Sequence, residues 1–118
     1  MSTVRELSAA LAREPGRVDF AIALAEAHGK EGRWTQGLAL ARQAAQLHPD
    51  NRDLARCRVV LLIRAKQWRL AVQEGVSLLG SMPDHAAIWA LVARAFSRLG
   101  EVQTAIDAWK SSLSLIHI

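Results

Sequence analysis

Between its three prolines the chain runs twice through a helical pattern of apolar positions. In the first interval Ala21, Leu24, Ala25 and His28 form one stripe, and Leu38, Ala41 and Ala45 form a second. The pattern then returns in phase. Pro15, Pro49 and Pro83 stand 34 residues apart, and the same shift lays Trp34 on Trp68. It also aligns Leu38 with Val72 and Ile106, Gly37 with Ala71 and Ala105, and Ala45 with Leu79 and Leu113, without a gap. Self-similarity at a fixed period means one supersecondary unit repeated, here a pair of helices.

The punctuation agrees with that period. Gly32 and Gly100 stand where the first helix of a pair should end, and Lys66 fills the same place in the middle unit. Pro49 and Pro83, each followed by Asp, end second helices, because proline restricts the residue before it and has no amide to donate. Asp50 or Asn51, and Asp84, are then placed to cap the following helix. Ahead of the first pair, Thr3 and Glu6 form a capping box before a Val4, Leu7, Leu11 stripe. The expectation is an all-α chain of seven helices in one domain: a half repeat at 1–17, then repeats at 18–51, 52–85 and 86–118. Composition fits, since 51% hydrophobic and 22% charged residues with only 7 Gly and 3 Pro oppose disorder and many-turned β folds.

The residues resemble the tetratricopeptide repeat, a 34-residue helix pair with a W-x2-L-G-x2-Y, Ala, aromatic, Pro signature. The third unit matches best, with Trp89, Val92, Ala93, Phe96, Gly100, Ala105, Trp109 and Leu113. The first carries Ala21, Leu24, Ala25, His28, Gly32, Gly37, Ala41 and Pro49, and the second Ala55, Val59, Leu62, Ala71, Gly75, Leu79 and Pro83. Departures are Arg58 where Leu is usual, His117 where a fourth proline would fall, and Gly37 and Gly75, expected to weaken packing inside second helices. The resemblance implies a right-handed helical-repeat solenoid of three helix hairpins preceded by one N-terminal helix.

Candidate chemistry is sparse. His28, His48, His85 and His117 show no i, i+4 pairing, and no HExxH, Cys/His cluster, phosphate-cradling glycine loop or nucleophile elbow occurs. No metal, cofactor or catalytic residue is therefore assigned. His28 takes an inward place filled by aromatics elsewhere, so a packed, hydrogen-bonded histidine is expected there. Trp34, Trp68, Trp89 and Trp109 stand at repeat-phased sites and are expected to wedge helices together. Cys57 is the only cysteine, which excludes an internal disulfide and suits a reducing compartment. With no signal-like start and no long apolar run, a cytoplasmic protein without a membrane span is expected.

The resemblance implies a concave face lined by the first helix of each pair. On that face the helical phase puts Ile22, Glu26, Gly29 and Lys30, then Arg56, Val60, Ile63 and Arg64, then Ala90, Arg94, Ser97 and Arg98. An apolar centre ringed by arginines suits an acidic-hydrophobic peptide, with Ile22, Glu26, Lys30, Arg56, Val60, Ile63, Arg64, Ala90, Arg94 and Arg98 as contact residues. The related clamp for chaperone C-terminal carboxylates uses Lys and Asn where this chain has Ile22, Glu26 and Cys57, so that clamp is absent. Val59 to Ile63 make the second unit's first helix apolar nearly all round, which calls for cover by a partner. Leu113, Leu115, Ile116 and Ile118 form an apolar end, implying a longer array or a homodimer through that end or through the concave face.

The leading expectation is thus a protein-interaction scaffold. The alternative is a regulatory or oligomerisation segment of a larger protein whose catalytic region lies outside this chain. Nucleic-acid binding ranks last: the net charge of +4 and pI near 10.2 invite it, but basic residues are interleaved with acids.

Overall fold

The computed structural model describes residues 3–116 as seven α-helices, with no strand among the described residues. They are α1 (Thr3–Arg13), α2 (Val18–Lys30), α3 (Trp34–Leu47), α4 (Arg52–Arg64), α5 (Trp68–Ser81), α6 (Ala86–Arg98) and α7 (Val102–Ile116). The side chains of Thr3, Leu115 and Ile116, and all of His117 and Ile118, lie outside the described residues. So does the capping box expected at Thr3. The 34-residue period governs the backbone itself: α2, α4 and α6 begin at 18, 52 and 86, and α3, α5 and α7 at 34, 68 and 102.

Each first helix ends on a left-handed residue in the same phase. Gly32 (φ 80°), Lys66 (φ 63°) and Gly100 (φ 83°) turn the chain so that the next helix begins two residues later. After the second helix the residue before proline leaves helical geometry, as His48 and Met82 show with φ near −133° and −135°. The caps fall one residue later than part of the expectation. Asn51 Oδ1 accepts from the Leu54 amide at 2.9 Å, and the equivalent cap of α6 is His85, whose Nδ1 accepts from the Ile88 amide at 3.3 Å. Asp84 is not the cap, because the helix starts in the phase of Asn51, and Asp84 is the counterpart of Asp50.

The chain divides into two compact units, 1–65 and 66–118. In the first, α2 packs against α1, α3 and α4, and α3 also packs against α4. Its core joins Ala21, Ala41, Ala44 and Leu54, with Leu11, Val18, Ile22 and Ala45 against it. Small residues set the helix separation here: a methyl group added at Gly37 would lie 2.8 Å from the Ala25 carbonyl oxygen. Gly37 is therefore a condition of close packing between α2 and α3, contrary to the expectation that it weakens it. In the second unit α6 packs against both α5 and α7. Ile88 and Val92 are fully buried, and buried Ser112 ties the helices by donating its hydroxyl to the Ala86 carbonyl at 3.0 Å.

The expectation that α4 needs a partner for cover is corrected as well. Leu54, Cys57, Val59, Leu61, Leu62 and Ile63 are all buried within the chain, leaving only Ala55 and Val60 half-buried among its apolar residues.

Candidate functional site

In the first unit, α2 and α4 flank a cavity of about 330 Å³. Glu26, Gly29 and Lys30 come from α2, one turn apart along a single face. Arg56, Cys57, Val60, Leu61 and Arg64 come from α4, and Trp34 from the start of α3 closes one side. The approach is tight: a methyl at Gly29 would stand 2.8 Å from Leu61 Cδ2 and 2.9 Å from Trp34 Cζ3. Five of the seven contact residues expected in this unit, Glu26, Lys30, Arg56, Val60 and Arg64, thus meet at one cavity. Two do not. Ile22 leans onto the Ala21 and Ala41 core, and Ile63, only 4% exposed, belongs to the interior. Both sit next to a core position, and a helix step of about 100° leaves such a residue at the boundary of the buried stripe.

The cavity's charge is uneven. Among the described residues, Lys30, Arg56 and Arg64 form no ion pair, whereas Arg17 is held by Asp19 at 2.7 Å and Arg33 by Glu31. Three free cations face one carboxylate, Glu26. Burial, and then the nearby Glu26 charge, push the Cys57 thiol up to about 11. It is therefore a neutral, apolar-like wall, as expected of a lone packed cysteine. His28 is half-buried and accepts a hydrogen bond at Nδ1 from Arg33 Nε at 3.2 Å, which gives it a structural partner.

The second unit carries a separate open cavity of about 480 Å³ formed by Arg94, Ser97, Arg98 and Trp109. Arg94 and Arg98 were expected to line a contact face, while Ala90 is half-buried and stands outside the cavity. Arg98 also lies over the Trp68 ring, 5.7 Å from its centroid. Trp109 was assigned to the core and is instead 43% exposed. The signal that could have found it is its repeat position, where the earlier copies hold Ala41 and Gly75. Leu113, expected as part of an apolar end, is exposed; the Leu115, Ile116 and Ile118 part of that expectation falls outside the described side chains. Among the described residues no cluster of three His, Cys, Asp or Glu groups could hold a metal, and no helix is long and apolar enough to cross a membrane.

No family model and no curated protein sequence matches the chain. Solved structures do. MamA AMB-1 superposes with a TM-score of 0.86 at 25% identity, covering 95% of this chain and 66% of that one. MamA 41-end from Desulfovibrio magneticus RS-1 gives 0.87 at 17% identity, over 95% of this chain and 63% of that one. MamA is a tetratricopeptide-like helical-repeat protein. This chain has the tetratricopeptide-type fold. It spans about two thirds of the length of these neighbours. The tetratricopeptide resemblance extends over nearly the whole chain, in keeping with the ungapped 34-residue phase.

Proposed function

We propose that this protein is an interaction scaffold that binds an acidic-hydrophobic segment of a partner, with no catalytic role of its own. The observation that carries it is the α2/α4 cavity, an apolar wall of Val60, Leu61, Cys57 and Trp34 beneath the unpaired cations Lys30, Arg56 and Arg64. A cavity of about 330 Å³ is at the lower end of ligand-site volumes and suits one large apolar side chain. Carboxylates beside that side chain would meet the guanidinium forks, whose donor geometry matches them. Likeness to helical-repeat scaffolds supports protein binding in general. The arginine face Arg94 and Arg98 of the second unit has the same charge preference. A cytoplasmic location fits the single reduced thiol.

The test is a set of short synthetic peptides with a central Leu or Phe flanked by Asp and Glu, or by Lys and Arg. Exposed ion pairs contribute about 0.2–1 kcal/mol each, so two or three of them separate the sets by roughly tenfold in Kd. Arg56→Glu with Arg64→Glu should remove that preference. Equal binding of both sets, or binding untouched by the charge reversal, refutes the reading. A steep loss of binding to single-stranded nucleic acid with salt, at higher affinity than any peptide, would favour the nucleic-acid alternative.

A further inference from the structure

A third cavity, open and of about 510 Å³, lies within the second unit on the α5 side of α6. Its floor is α6, which packs against both neighbours while α5 and α7 do not touch each other. Trp89, Val92 and Phe96 stand there at i, i+3 and i+7, on a single helix face. One wall is Val76 and Leu79 of α5, and the other is Asp107 and Ala108 of α7. The volume lies within the usual range of small-ligand sites. The repeat phase shows that this is not the seat of a further helix of the array. In the first unit the next first helix, α4, packs on α2 and α3 and makes no contact with α1. Shifted by two repeats, α1, α2 and α3 become α5, α6 and α7, so a helix continuing the array rests on α6 and α7 and leaves the α5 side open. The same shift shows how the lining changes. Ala108 stands in the phase of Leu40, which opens the α7 wall, and Trp89 stands in the phase of Ala21, which gives the floor a ring.

We infer that this cavity binds a small organic ammonium ion with a hydrophobic body. Charge sets the sign of the ligand. Asp107 is the one charged residue lining the cavity, whereas lysine and arginine line the cavity of the first unit and arginines the other cavity of the second. Among the described residues Asp107 forms no ion pair. Gln103 Nε2 donates to its Oδ1 at 3.1 Å, which orients the carboxylate and leaves Oδ2 for a ligand donor. The rings agree with that sign. Trp89, held by its Nε1 donating to the Pro83 carbonyl at 2.7 Å, and Phe96 both line the floor, and aromatic faces attract cations. Val76, Leu79, Val92 and Ala108 then cover the hydrocarbon part of the ligand. An anion would be repelled by Asp107, and a purely apolar ligand would strip water from the carboxylate without replacing it. A partner's lysine brings the ammonium on a thin stem that leaves most of the cavity empty. The inference concerns a different unit from the cavity proposed to hold a partner segment and stands independently of that role.

The probes are 4-phenylbutylammonium, 4-phenylbutyrate and n-butylammonium, titrated separately into the full chain and followed by proton–nitrogen NMR. The first has ring and positive charge, the second the ring with a negative charge, and the third the charge and stem of a lysine side chain without the ring. 4-Phenylbutylammonium should bind with Kd of about a millimolar or below, as ligands of its size do in a fitting site. It should move the indole resonance of Trp89, identified from its loss in Trp89→Phe. Carboxylate and rings together should favour it over 4-phenylbutyrate by about tenfold. Loss of the ring in n-butylammonium should weaken binding by about tenfold or more. Asp107→Asn should level the preference between the two ring compounds, and Asp107→Lys should reverse it; the position is exposed, and far-UV circular dichroism checks that both variants keep their helices. Arg56→Glu with Arg64→Glu should leave all three probes unchanged, which separates the result from the cavity of the first unit. Equal binding of the two ring compounds, a preference that survives Asp107→Asn, or a Trp89 resonance that does not move overturns the inference. So does n-butylammonium binding as tightly as its phenyl counterpart, since a partner's lysine would then serve as well.

Discussion

Replacing Gly37 by alanine should destabilise the protein even though alanine is the better helix former. The added methyl carbon would lie 2.8 Å from the Ala25 carbonyl oxygen, a backbone atom that no rotamer change can move. Ordinary C···O contacts are about 3.3–3.6 Å, so α2 and α3 must part by roughly half an ångström. Overpacking of this kind costs about 1–3 kcal/mol, while the intrinsic gain of Ala over Gly inside a helix is about 1 kcal/mol. The net loss is then about 0–2 kcal/mol, centred near 1 kcal/mol, or roughly 4 °C in Tm. Gly80 supplies the control, because it lies in α5 and an added methyl meets nothing within 4 Å. Gly80→Ala should therefore raise Tm by a few degrees, from about 0.5–1 kcal/mol of helix stabilisation. Thermal unfolding followed by far-UV circular dichroism reads both. If Gly37→Ala melts at or above the parent, the close approach of α2 to α3 is not what holds that position to glycine.

Two further outcomes follow from single residues. Lys66 adopts φ 63° where Gly32 and Gly100 stand in the other repeats, so Lys66→Gly should relieve about 1 kcal/mol of left-handed strain; after the extra freedom of the unfolded glycine a net gain of ~0.5 kcal/mol remains, and a lowered Tm would refute this. With its thiol raised from 9.0 to about 11, native Cys57 has about a hundredth of the thiolate of an ordinary cysteine near pH 8, so iodoacetamide should alkylate it about a hundredfold more slowly than in urea. The sign for stability follows, because the unfolded thiol loses its proton first: stability is unaffected by this group below about pH 9 and falls between there and about pH 11. A flat urea midpoint over that range would count against the shift.

Helix boundaries were legible in the sequence because the repeat sets the phase of a whole supersecondary unit. Three prolines and the Gly32, Lys66, Gly100 series locate every turn without reference to tertiary contacts. The site was legible where a helix has a distinct polar side. Glu26 and Lys30 are the exposed side of α2, and the cavity takes them. On α4 the apolar residues run all round, so periodicity assigns no direction, and Ile63 turned out to be interior while Val60 stayed at the cavity. Gly37 was misjudged for a related reason: a missing side chain has meaning only once the atom opposite it is known.

Trp109 shows the limit most clearly. At its repeat position Ala41 is buried in a cluster with Leu54, while Trp109 is 43% exposed. Burial there is set by a neighbour and not by the residue, so no local pattern distinguishes the two cases. What the sequence does carry is the exception in size: two small residues at that position, Ala41 and Gly75, and then a tryptophan. With Arg94 in place of Glu26 as well, this face of the second unit differs from its counterpart in the first in both size and charge. The period therefore fixes where each side chain stands in the repeat, and not what covers it.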